Sequence, residues 1–184
     1  WENDGSACNP DCSWPKHRVV SGLGATSAVA ADLDADGDLD IVTAGGLAKN
    51  SVYLYHELTG TYVDASAAAG IDIGETDRAP TLGDVDRDGD LDLYLAEAKQ
   101  SGDDTTHGRL YLNDGSGVFT DVTTLAGTVG GAHSTYAVFF DVDRDGLLDL
   151  TTAEFHGTRN VFYLNQGDGT FRDMGDPLNL DAAG

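Results

Sequence analysis

Hydrophobic residues in this chain fall into short runs, and glycines and polar residues break the runs at regular intervals. SAVAA, LDIVTAG, NSVYLYH and TYVDAS come first, then APTLG, LDLYLAE, GRLYLND and GVFTDVT, then YAVFF, LDLTTAE, NVFYLNQ and TFRDMG. Each run has the length of a strand, is enriched in Val, Leu, Thr, Tyr or Phe, and stops at Gly, Asp or Asn, as β-strands joined by turns do. GSG and GDG turn signals between the last two runs of the second and third sets predict hairpins there. No segment has sustained helical periodicity. The best candidates, Ala65 to Ala69 in DASAAAGID and Thr123 to Gly127, are too short for a stable helix and predict connections of about one helical turn.

The three sets are copies of one unit. A nine-residue word recurs as DLDADGDLD at Asp32 to Asp40, DVDRDGDLD at Asp84 to Asp92 and DVDRDGLLD at Asp141 to Asp149. Each word stands between the first and second runs of its set. Repeats of about 40 to 60 residues with four strands each are the signature of propeller blades, which bury their sheets against one another around an axis. The expected architecture is therefore all-β, with three four-stranded propeller-type blades over about residues 21–73, 74–130 and 131–184. Residues 1–20, with Trp1, Trp14, Cys8 and Cys12, match no repeat and are expected to form an arm or cap.

Propellers commonly have about four to eight blades, and three do not readily close a ring. The expectation is a partial propeller, an open array, or a subunit whose exposed blade edges pair with further blades or with other subunits, including copies of itself. The final PLNLDAAG resembles the connections between blades, so a fourth repeat is expected to follow it, by truncation or by assembly.

In each word the first, third, fifth and ninth positions are Asp, the sixth is Gly and the eighth is Leu. Alternate aspartates in a tight turn can converge on one ion, and calcium takes about 6 to 8 hard oxygen ligands, whereas magnesium prefers a smaller octahedron and keeps its waters. Glycine lets the backbone turn with φ > 0. The seventh position, Asp38, Asp90 or Leu147, is expected to offer its backbone carbonyl, so its side chain is free to vary. Leu39, Leu91 and Leu148 are expected to anchor the following strand in the core. An EF-hand shares D-x-D-x-D-G but needs Glu at the twelfth position, where this chain has Thr43, Leu95 and Thr152.

Charge strengthens the calcium reading. The chain has 10 Lys+Arg against 32 Asp+Glu, a net −22. That excess opposes compaction unless cations offset part of it, and it makes a nucleic-acid partner unfavourable. Calcium in the loops is accordingly expected to add folding stability. No apolar stretch is long enough to span a bilayer, and with Trp1 at the start any signal peptide is expected to have been removed or omitted. Cys8 and Cys12 in CNPDC permit a small disulfide in an oxidising compartment, and two thiolates alone do not close a zinc site.

These words resemble the FG-GAP or VCBS-type repeats of integrin α subunits and of many secreted bacterial proteins, over about residues 20 to 178. TAGG, LAEA and TAEF stand where the family's Gly-Ala-Pro word falls, which places the chain nearer the VCBS-like branch. The resemblance implies a calcium-binding propeller in an extracellular or cell-surface setting. By position it implies side-chain ligands at Asp32, Asp34, Asp36 and Asp40, at Asp84, Asp86, Asp88 and Asp92, and at Asp141, Asp143, Asp145 and Asp149.

Other residues give no catalytic constellation. His17, His56, His107, His133 and His156 share no metal-site spacing, and no G-x-S-x-G elbow supports a serine nucleophile. The expected role is binding rather than turnover, in adhesion, assembly or surface architecture. A carbohydrate-binding module is the alternative, with a fragment of a polysaccharide-degrading enzyme behind it. Tyr53, Tyr55, Tyr94, Tyr111, Phe162 and Tyr163 alternate within strands and are expected to pack in the core rather than stack on sugars. The insertion Lys99 to Gly108 is a candidate recognition loop.

Overall fold

The computed structural model describes residues 25–45, 49–71, 77–97, 107–129, 134–154 and 160–175. The N-terminal segment with its two cysteines, His17, His133, His156, most of the Lys99 to Gly108 insertion and the PLNLDAAG tail lie outside the described residues.

The twelve predicted strands form, in order, β1 (Ser27–Ala31), β2 (Asp40–Ala44), β3 (Ser51–His56), β4 (Thr61–Asp64), β5 (Asp77–Gly83), β6 (Asp92–Glu97), β7 (Arg109–Asn113), β8 (Phe119–Asp121), β9 (Ser134–Phe140), β10 (Asp149–Glu154), β11 (Val161–Asn165) and β12 (Phe171–Asp173). They make three separate four-stranded sheets, β1-β2-β3-β4, β5-β6-β7-β8 and β9-β10-β11-β12. Every pairing is antiparallel between chain neighbours, so each sheet is a meander, the form of a propeller blade. Among the described residues the three sheets stay separate and are not closed.

Alternation within the strands sends side chains to two faces, and the cores lie between blades. Leu33, Val42, Ala44 and Val52 of the first blade meet Leu93, Leu95 and Tyr111 of the second. Tyr94, Ala96 and Leu110, from the opposite face of the second blade, meet Leu150, Val161 and Tyr163 of the third. Tyr53, Tyr94, Tyr111, Phe162 and Tyr163 are all buried, as their alternation predicted, whereas Tyr55 is only half-buried.

The predicted connections also form. After β4 the chain turns through Ser66 to Gly70, and Ala69 N–H donates to the carbonyl of Ala65. After β8, one helical turn, α1 (Thr123–Ala126), ends at Gly127 in the left-handed conformation. Both turns begin alike: Asp64 and Asp121 each accept the backbone N–H two residues on, and the hydroxyls of Ser66 and Thr123 accept the N–H groups of Val52 and Leu110. Each turn then packs on the last strand of the next blade. Phe119 N–H donates to Ala69 O at 2.9 Å, and a Cβ on Gly127 would lie 3.2 Å from the carbonyl of Phe171.

Leu39 departs from its expected place. It is 52% exposed, while Leu148 packs into the core between the second and third blades. The eighth position faces the preceding blade, and among the described residues the first blade has none. Leu91, which has a preceding blade, is half-buried and belongs to neither core cluster, so the anchoring role is seen at Leu148.

Candidate metal centres

Each aspartate loop joins the first two strands of its blade, and its ninth residue, Asp40, Asp92 or Asp149, opens the second strand. That residue is buried and grips the backbone from both carboxylate oxygens. Asp40 Oδ2 accepts Leu33 N–H at 2.9 Å, and its Oδ1 accepts Tyr55 N–H at 2.9 Å. Asp92 accepts Val85 N–H at 2.8 Å and Asn113 N–H at 3.0 Å, and Asp149 accepts Val142 N–H at 3.0 Å and Asn165 N–H at 2.9 Å. The same side chain thus fixes the second loop residue and the third strand of its own sheet.

The remaining aspartates fold the loop. Asp36, Asp88 and Asp145 accept the N–H of the seventh residue at 2.9, 2.9 and 2.8 Å. Asp32 and Asp141 reach across to the N–H of Gly37 and Gly146, each at 3.0 Å. Positive φ falls on the sixth-position glycines Gly37, Gly89 and Gly146 as predicted, and also on the fourth position, at Ala35 (58°), Arg87 (66°) and Arg144 (67°). Two left-handed residues per loop wind the chain tightly enough to turn successive carboxylates inward. A non-glycine residue rarely adopts this conformation without compensating contacts.

Three carboxylate triads result: Asp32, Asp34 and Asp36; Asp84, Asp86 and Asp92; Asp141, Asp143 and Asp149. Within each triad one oxygen per residue lies within 4.8 Å of the others. Asp40, Asp88 and Asp145 stand outside the triads, as do Asp38, Asp90 and Leu147, whose N–H groups donate to Asp36, Asp88 and Asp145. Asp32 Oδ1, Asp34 Oδ1 and Asp84 Oδ1 are shielded from solvent and accept no hydrogen bond. A shielded anionic oxygen with no donor is costly, and a cation at the centre of the loop would satisfy it. The donors are all hard oxygens, which suit a divalent ion of the calcium type rather than zinc.

Four of these carboxyls, Asp34, Asp40, Asp86 and Asp92, resist ionisation. Burial pushes the Asp92 carboxyl up to about 7, with the charges of Asp86 and Asp88 adding to the effect against the N–H donors of Val85 and Asn113. Burial also raises Asp34, with repulsion from Asp36 next, and it raises Asp40 and Asp86.

Two asparagines unassigned by the sequence reading link the loops. Asn113 Nδ2 donates to Leu33 O of the first loop at 2.9 Å and to Leu91 O of its own at 3.2 Å. Asn165 Nδ2 repeats this with Val85 O of the second loop at 2.8 Å and Leu148 O at 3.0 Å. The signal was present in the repeated Tyr-Leu-Asn ending of the third strand. Tyr55 takes this place in the first blade. It packs edge-on against Tyr62, whose hydroxyl donates to Leu39 O at 3.0 Å.

A comparison with curated proteins found no match. The model of the FG-GAP-like repeat family matches residues 32–95 and 98–152, spans that contain all three aspartate loops up to the third blade's second strand. With its repeated meander sheets and aspartate turns, the chain belongs to the FG-GAP-like repeat family.

Proposed function

We propose that this chain is an extracellular calcium-binding repeat protein whose blades, stiffened by calcium in the three loops, dock onto further blades in protein–protein assembly. The orphaned carboxylate oxygens and all-oxygen triads support calcium, and millimolar extracellular calcium would fill even weak sites of this kind.

The observation that carries assembly is the outer face of the third blade. The second loop residue is 2% exposed at Leu33 and 5% at Val85, where the next blade covers it, but 38% at Val142. Tyr136 and Val138 on the same face are 68% and 49% exposed, whereas Ala79, at the place of Tyr136 in the second blade, is buried. Phe140 stacks edge-on with Phe162 beside them. An open patch of aromatic and branched apolar side chains, continuous in register with two internal joints, is suited to another blade.

A second copy presents a complementary end at Leu39. Its Tyr55 stands where the internal joints use asparagine, so a head-to-tail contact would lack the bridging amide and be weaker than those joints. Light scattering on the full chain tests this. Calcium-dependent association is expected, lost in Val138→Asp and in Leu39→Asp separately. Mixing the two variants should restore a dimer through the one intact pair of faces. A chain that remains monomeric with calcium at every concentration would rule out self-assembly. The sugar-stacking alternative gains no support from the strand aromatics, most of which are buried.

A further inference from the structure

Neighbouring loops are joined unequally. Between the first and second loops the tie is Asn113, and between the second and third it is Asn165. The second joint has an additional part. Arg87, at the fourth position of the second loop, donates from Nε to Gly146 O at 3.1 Å and from Nη2 to Asp145 O at 3.2 Å, both in the third loop. The corresponding residue of the first loop is Ala35, which cannot reach its neighbour.

Local geometry favours this clamp. The left-handed backbone at Arg87 sets the direction in which its side chain leaves the second loop. The absence of a Cβ on Gly146 admits the guanidinium, because a Cβ there would lie 2.7 Å from Nη2. The two accepting carbonyls belong to the fifth and sixth positions, between Asp143 and the strand opened by Asp149. At this point Asp141 also holds Gly146 N–H and Asp145 holds Leu147 N–H. Arg87 therefore fixes the turn that brings the third triad together without being one of its members.

We infer that Arg87 is a positioning residue for the third calcium loop, supplied by the second, so that these two loops bind calcium cooperatively while the first is indifferent to Arg87. The inference rests on the calcium reading of the loops. Two physical effects oppose each other here. A positive charge near an acidic site repels an incoming cation, whereas a forked donor that holds the turn lowers the conformational cost of binding. Arg87 is exposed, so salt and water screen the repulsion. The clamp consists of two charge-assisted hydrogen bonds. Preorganisation should outweigh repulsion.

The two effects predict opposite signs, which makes the test decisive. Calcium isotherms measured by calorimetry on the full chain should show that Arg87→Ala weakens one of three sites by roughly three- to ten-fold and flattens the cooperative part of the curve. Arg87→Lys keeps the charge but loses the fork and should lie close to Arg87→Ala. In a chain whose third loop is disabled by Asp141→Asn and Asp143→Asn, Arg87→Ala should change nothing further. Tighter binding in Arg87→Ala, or a loss that persists with the third loop disabled, would overturn the inference. A wild-type chain that takes up no calcium would instead remove the calcium reading itself, and this inference with it.

Discussion

The ninth-position aspartate has two demands on one carboxylate. Asp92 must be ionised to attract a cation, yet it is buried and its carboxyl is pushed up to about 7 when no cation is present. The sign of the resulting pH dependence follows from linkage. Between the ordinary aspartate value of 3.8 and about 7, the folded metal-free chain binds more protons at this site than the unfolded chain does. The stabilisation is fully present below the lower value and is lost as the pH rises through the upper one. Protein stripped of divalent ions should therefore melt higher at about pH 5 than at about pH 8, and calcium should abolish or reverse that difference by favouring the ionised form. Melting curves at the two pH values, with and without calcium, check this; stripped protein that melts higher at the alkaline value would contradict it. Asn113 gives a second prediction at this scale. Truncation to Ala leaves Leu33 O and Leu91 O without its amide, and the unfolding free energy from urea titration should fall by about 2 to 4 kcal/mol.

At the scale of elements, what the sequence revealed divides along a physical line. Strands, their order and the site-bearing turns were legible because they depend on local alternation and on a word repeated three times. The left-handed fourth position was not, since Ala35, Arg87 and Arg144 carry no glycine signal and their conformation is imposed by the winding of the loop. The exposure of Leu39 and the bridging role of Asn113 depend on which blade lies alongside, a contact between residues far apart in the chain. Repetition disclosed that Asn recurs, but not which carbonyl it meets. The connections illustrate both cases. Gly70 reads as a simple stop signal, yet its φ of 78° and the closeness of Phe119 O, 2.8 Å from where a Cβ would stand, make it a joint between blades. Gly70→Ala should cost roughly 1 to 3 kcal/mol, combining left-handed strain with displacement of β8. A chemical-denaturation midpoint unchanged by that substitution would show that the joint yields at no cost.

For the whole molecule, the question is how a chain of net charge −22 stays compact with so many of its carboxylates gathered in three turns. General screening by salt would lessen repulsion everywhere, whereas site binding acts only where oxygens converge, and the two can be separated by experiment. A ligand at about 100 times its dissociation constant stabilises the folded state by about 2.7 kcal/mol per site. Three such sites would give about 8 kcal/mol, comparable to the whole stability of an ordinary domain. Calcium should therefore raise the urea midpoint far more than sodium or magnesium at equal ionic strength, and chelation should bring the chain close to its unfolding transition. Disabling the third loop with Asp141→Asn and Asp143→Asn should remove at least its own share of the gain, and more if Arg87 couples it to the second loop. Equal protection by magnesium or by sodium would mean that screening alone holds the blades together, and the loops would then be acidic turns with no resident ion.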